Sequence, residues 1–173
     1  MDHIIKNVIS SQDIGLLKSL IGNGTYNIVV DEVGVVALSI FIESYQSKIV
    51  IKNNPSKGSD KDDYPRFELA QVQDVLPNCK EICKGKKIIN ISIIKDKVMW
   101  RYQGHKWIVE IDVGIKIIFE EDELLLVAHD TLAGLIGMFN LDKSSKINEC
   151  LEEYWSMKTE DMMSLDREEI WIG

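Results

Sequence analysis

Cysteine, proline and histidine number three each in 173 residues, and those scarcities exclude whole classes of chemistry. Cys79, Cys83 and Cys150 are too few, and odd in number, for a disulfide scaffold, so reduced thiols in a cytosol are expected. No apolar run approaches the roughly 20 residues that a membrane helix needs. The opening residues, MDHIIKNVISSQ, have no basic start, no long apolar segment and no small-residue cleavage site, which predicts no signal peptide. A cytoplasmic chain without a membrane partner is the expectation.

Positive charge is the minority sign. Lys and Arg total 20 against 28 Asp and Glu, a net charge of -8. Sequence-independent nucleic-acid binding relies on cationic contacts to phosphate, so no nucleic-acid partner is expected. An acidic surface does suit a basic protein partner, because complementary charge speeds encounter. Phosphate-binding glycine loops and the GxSxG nucleophile elbow are also missing. No cofactor or metal is expected, and no catalytic constellation stands out.

What the chain does have is β-branched residues. NIVVDEVG, VVALSIFIES and SKIVIKNN are rich in Val and Ile, with turn-like breaks between them. From Lys87 the runs KIINISII, VMWRYQ, KWIVEIDV, GIKIIF and ELLLVAH follow at intervals too short for crossover helices, as antiparallel hairpins do. Lys95-Asp96 and Gly104-His105 fall at the expected turns. Helices are predicted near residues 12–21, with Asp13 as cap, and near 146–168. Shorter helical turns are read at LPNCKEICKGKK, where Cys79 and Cys83 share a face, and at LAGLIGMF. The fold class expected is α+β: a mostly antiparallel sheet with helices packed on one face. All of residues 1–173 read as one domain, with an exposed loop at about 53–65.

The stretch from Glu110 to Asp130 concentrates the candidate functional residues. In an extended chain Trp107, Val109, Ile111, Val113, Ile115, Ile117 and Phe119 point one way, and Glu110, Asp112, Lys116 and Glu120 the other. That predicts one buried and one solvated face, with Gly114 at a bulge or bend. Glu110 and Asp112 are about 7 Å apart on one face, near the spacing of paired glycosidase carboxylates. Acids two apart on a wet strand have a simpler origin in solvation. His129-Asp130 resembles part of a metal dyad, but only His3 and His105 could join it; Asp130 as a helix cap is the simpler reading. Trp100, Tyr102 and Trp107 could stack on a base or sugar, or on one another. Glu120, Glu121, Asp122 and Glu123 are contiguous and lack the spacing and glycine of a calcium loop.

Three segments, WIVEIDVGIKIIF, ELLLVAHDTLAG and EYWSMKTEDMMSLDREEI, resemble small bacterial immunity proteins, the antidotes of polymorphic and contact-dependent toxins. The resemblance covers the C-terminal part of the chain. It implies a small acidic α+β protein that binds and blocks a cognate toxin domain, often a basic nuclease, with no catalysis of its own. The acids expected to meet such a partner are Glu110, Asp112, Glu120, Glu121, Asp122 and Glu123, with Asp60, Asp62 and Asp63 as runners-up. The alternatives are a small-molecule-binding or structural module, or a metal-dependent hydrolase using Glu110 and Asp112 or His129 and Asp130.

Overall fold

The computed structural model describes residues 2–33, 36–74, 78–130, 133–140, 155 and 162–173. In chain order the elements are β1 (Asp2–Asn7), α1 (Ser11–Leu20), β2 (Thr25–Val33), β3 (Val36–Glu43), β4 (Lys48–Asn53), β5 (Ser56–Lys57), β6 (Asp63–Tyr64), β7 (Phe67–Gln71), β8 (Lys80–Tyr102), β9 (His105–Phe119), β10 (Glu123–Asp130), β11 (Leu135–Asn140) and β12 (Met162–Trp171). Strands make up 68% of the structure and helix 8%. The expected α+β layering, with helices packed on one face of a sheet, is therefore wrong: this is a large mixed sheet, and α1 is short. The density of Val and Ile, which fit a pleated surface better than a helix, is the physical cause.

Particular segments differ in type from their local reading. Residues 2–7, ahead of the predicted helix and not assigned to a strand from sequence, form β1, which pairs parallel with β9. Within LAGLIGMF, Ala133 and Gly134 form a turn and β11 follows, consistent with two glycines that weaken a helix. Residues 162–168 lie in β12, antiparallel to β8, whereas 146–161 lie outside the described residues except for Trp155. Cys79 and Cys83 share no helix; Cys83 is in β8, where Gly85 (φ 59°) sits at a bulge rather than a helix end. The early helix stands, capped by Ser10 rather than Asp13: the Ser10 Oγ accepts from the Asp13 backbone N–H.

Six strands close on themselves. Hydrogen-bonded pairs run β8–β9–β10–β11–β3–β2 and back to β8, every one antiparallel. Each of the six gives side chains to one apolar cluster, including Ile28, Ile40, Ile91, Ile117, Leu126 and Ile136, so this cluster fills the ring's interior. Leu17 and Leu20 of α1 join it. Burying each contributes roughly 1.5–3 kcal/mol.

A second cluster lies on the opposite face of β8, β9 and β10. Ile5, Tyr64, Ile94, Val98, Val109, Ile111, Val113, Leu125, Val127 and Trp155 form it. The segment 53–65 reaches this cluster: Tyr64 is buried there, and Asn7 Nδ2 donates to the carbonyls of Tyr64 and Pro65 at 2.9 Å.

Past the ring, β8 and β9 continue as a hairpin flanked by β12 and β1, a four-stranded wing. Gln103 and Gly104 (φ 49° and 78°) make its two-residue turn, the positive-φ geometry that matches strand twist. Among the described residues no helix is long and apolar enough to cross a membrane.

Candidate functional site

A one-residue bulge decides which way Glu110 and Asp112 face. Ile94 pairs with Gly114, but the next residue, Lys95, pairs with Asp112, so Val113 is extra on β9. The predicted bulge is therefore present at Gly114, and the strand runs on through it. An added Cβ on Gly114 would lie 3.2 Å from Ile94 Cγ1 and 3.3 Å from the Leu126 carbonyl oxygen, which explains the glycine. The bulge reverses facing. Ile115, Ile117 and Phe119 enter the ring, whereas Val109, Ile111 and Val113 enter the second cluster. The single apolar stripe read from parity thus feeds two cores, and Asp112 and Lys116 of its supposedly wet face are buried.

The wing's other face carries charge in rows set by register. Lys6, Glu110, Lys97 and Asp166 lie side by side on β1, β9, β8 and β12. Asp112, Lys95 and Glu168 form the next row toward the ring. Glu110 meets Lys6 at 2.9 Å and Lys97 at 3.4 Å. The Lys6 hydrogen bond, helped by Lys97, holds the Glu110 carboxyl below its usual range. Asp112 Oδ2 accepts from the Ile9 backbone N–H at 2.6 Å, and Lys95 lies 3.8 Å from Oδ1. Burial pushes this carboxyl up, and those two contacts oppose it. Lys95, Lys97, Glu110, Asp166, Arg167 and Glu168 border a groove of about 580 Å³. Each carboxylate of the former pair is matched by lysine, an arrangement that holds ions in place rather than poising an acid beside a base.

Glu120 to Glu123 lie at the β9–β10 turn, closed by the Phe119 N–H donating to the Asp122 carbonyl at 2.9 Å. Asp122 is bound by Lys86, and Glu123 lies 3.8 Å from Lys116. The Asp122 hydrogen bond raises the Lys86 ammonium above its ordinary range. Glu120 and Glu121 have no ion pair among the described residues, and Glu120 is exposed. They border a cleft of about 300 Å³ lined by Thr25, Gly85, Lys86, Lys87, Phe119 and Asp122. Eight residues of strand put this tip roughly 26 Å from Asp112. The six candidate acids therefore occupy two separate places.

The remaining candidates fall apart in space or serve packing. Trp107 stacks on His3 at 4.2 Å and faces Trp100 at 6.3 Å, so these tryptophans pair across strands, while Tyr102 is exposed at the hairpin end. Asp60 accepts from the Tyr64 hydroxyl at 2.6 Å, and Asp62 from the Asp63 N–H. The side chains of His129 and Asp130 lie outside the described residues; their backbone belongs to β10. Among the described residues no group of three or more His, Cys, Asp and Glu side chains could hold a metal ion.

Sequence reasoning misses two groups. It puts Lys95-Asp96 at a turn, yet both lie inside β8 and Asp96 is fully buried. Asp96 accepts from Arg167 Nε and Nη2, at 2.7 and 2.8 Å, and from Trp155 Nε1 at 2.7 Å. Nothing local signals that, because both partners are about sixty or more residues away. The lysines of the wing do leave a signal. Lys95 and Lys97 are as far before the Gln103-Gly104 turn as Asp112 and Glu110 are after it, opposite charges placed to pair across a hairpin.

Fold and site together define a β-rich protein whose wing carries lysines and carboxylates paired with one another in rows. No family model, curated protein or solved structure matches the chain.

Proposed function

We propose that this is an immunity-type protein, which binds and neutralises a cognate basic toxin domain in the cytosol. One observation carries the reading. Of the six candidate acids, Glu110, Asp112, Asp122 and Glu123 each have a lysine within 4 Å, whereas Glu120 and Glu121 sit at the tip without one among the described residues. Neither is held in an ion pair there, although Glu121 is felt by the Lys86 ammonium, and both carboxylates are placed to steer and hold a cationic partner. The net charge of -8 and the resemblance of the C-terminal segments support the same reading.

The test is capture from the protein's own cells followed by a toxicity assay. A basic domain retained by the native chain should arrest growth when expressed alone, and co-expression of the chain should relieve the arrest. Glu120→Lys with Glu121→Lys should abolish capture and relief together. Relief that survives both reversals removes the tip from the interface, and a captured domain without toxicity removes the immunity reading. The cleft beside Phe119, at the small end of ligand-pocket sizes, favours the second reading, a small-molecule-binding module. Thermal stabilisation by a small solute, with no protein captured, is its signature.

A further inference from the structure

We propose that the open face of the wing is the interface of a homodimer, with a two-fold axis parallel to the strands and between β8 and β9. The inference is independent of the toxin reading. It rests on the order of side chains across that face.

Read across β1, β9, β8 and β12, the first row is Lys6, Glu110, Lys97, Asp166: plus, minus, plus, minus. The row above it, toward the hairpin end, is Ile4, Ile108, Met99, Ser164. The row below contains Asp112, Lys95, Glu168. A rotation about the stated axis reverses each row and lays it on itself. Lys97 then meets the partner's Glu110, and Lys6 meets the partner's Asp166. In the row below, Lys95 falls over the partner's Asp112, which is 3% exposed and already bound to the Ile9 N–H, so that row adds no direct ion pair. Ile108 falls on the partner's Met99, apolar on apolar. An axis across the strands would instead lay the central row's charges like on like.

The same order disfavours other occupants. A partner of one sign is repelled by half of the row. A matching surface needs alternating charges at the strand spacing of about 4.8 Å, and this chain's own face supplies it. Lys6 and Lys97 have exposed side chains, and Ile4 is 59% exposed, large for an isoleucine flanked by charge. The face is open at Lys6, Lys97, Ile4 and Asp166, and closed toward the ring, where Asp112 is 3% exposed and bound to the Ile9 N–H.

Four strands by four rows span roughly 500 Å² per copy at strand spacing and pleat. That is at the low end of specific interfaces, so the dimer is expected to be weak and salt-sensitive. At the hairpin end Lys106 would meet the partner's Arg101, a rim repulsion that limits affinity further.

The test is sedimentation velocity of the full chain over roughly 5–200 μM, the range in which a small interface dimerises. The native chain should dimerise at low salt and dissociate as salt rises. Lys97→Glu sets a second carboxylate against the partner's Glu110, and Glu110→Lys sets a second ammonium against the partner's Lys97. Each variant alone should dimerise at least tenfold more weakly. Mixed in equal amounts they should form a heterodimer, because the introduced carboxylate of one copy then meets the introduced ammonium of the other, while the native Glu110 and Lys97 that remain meet each other. Lys6→Glu and Asp166→Lys are a second such pair, on positions outside both apolar cores. A monomeric native chain at about 200 μM in low salt overturns the proposal, and so does a dimer indifferent to these reversals or single variants whose mixture stays monomeric.

Discussion

Arg167 closes on Asp96 through two hydrogen bonds of 2.7 and 2.8 Å, joining β12 to the centre of β8 across 71 positions of sequence. Asp96 is fully buried and the Arg167 side chain is 15% exposed, so water does little to relieve either charge once the other is gone. Arg167→Ala leaves the carboxylate buried without its guanidinium and should cost about 3–5 kcal/mol. Asp96→Asn keeps the shape but leaves the Arg167 guanidinium without its counter-charge and turns an amide NH2 toward one of the donors; because that guanidinium is partly exposed, the loss should be smaller, about 1–3 kcal/mol. Urea unfolding at neutral pH measures both. A loss under about 1 kcal/mol in Arg167→Ala would show that β12 is held by its backbone pairing instead.

Two carboxylates on one strand should titrate with opposite consequences. Burial raises Asp112, so its folded state holds the proton more tightly than the unfolded chain does. The native chain should therefore lose stability relative to Asp112→Asn as pH rises from 3.8 through the higher folded value. Glu110 is lowered, chiefly by Lys6, so its contribution is present above 4.5 and lost as pH falls through the lower folded value. Relative to Glu110→Gln the native chain should thus gain stability over that rise. Urea midpoints at a series of pH values from about 3 to 7 check both signs, since unperturbed carboxyls titrate near about 4.

Gly114→Ala tests how tightly the bulge is packed. The new methyl would press on buried Ile94 and on the Leu126 carbonyl oxygen, 3.2 and 3.3 Å from its position. A backbone atom and a buried side chain have little room to yield, so a loss of about 1–3 kcal/mol is expected. Thermal or urea unfolding measures it, and an unchanged midpoint would mean that the bulge relaxes freely.

Gln103→Asn should act in the other direction. Gln103 holds φ 49° ahead of Gly104, a conformation that asparagine adopts more readily. A gain of about 0.5 kcal/mol is expected, read from the same unfolding curves. A loss would mean that the glutamine side chain has a role in the hairpin end.

Strands are legible where the chain repeats a local pattern: the turn before His105 and the tip at Glu120 follow from composition and spacing alone. The error in fold class comes from segments whose state is decided by distant partners. Asp2–Asn7 is a strand because β9 offers an edge, and Met162–Trp171 because β8 does. Lys95-Asp96 looks like a turn to any local reading, since the charge that permits Asp96 in a strand interior arrives with Arg167. Parity misassigns the two faces of β9 because one extra residue reverses the facing, and sequence alone does not say how an irregular strand resumes. Of the site, the pairing of lysines 95 and 97 with acids 112 and 110 is within reach of the sequence, and the contribution of β1 and β12 is not.

The 23 residues of β8 run unbroken from the ring into the wing, with β9 beside it for its last part. A joint made of two continuous strands has no loop to act as a pivot. Tension applied at the hairpin end is therefore transmitted along the peptide backbone, through the closely packed bulge at Val113, straight into the wall of the ring. The wing is a stiff handle on the barrel wall, so whatever grips it also reports on, and loads, the core.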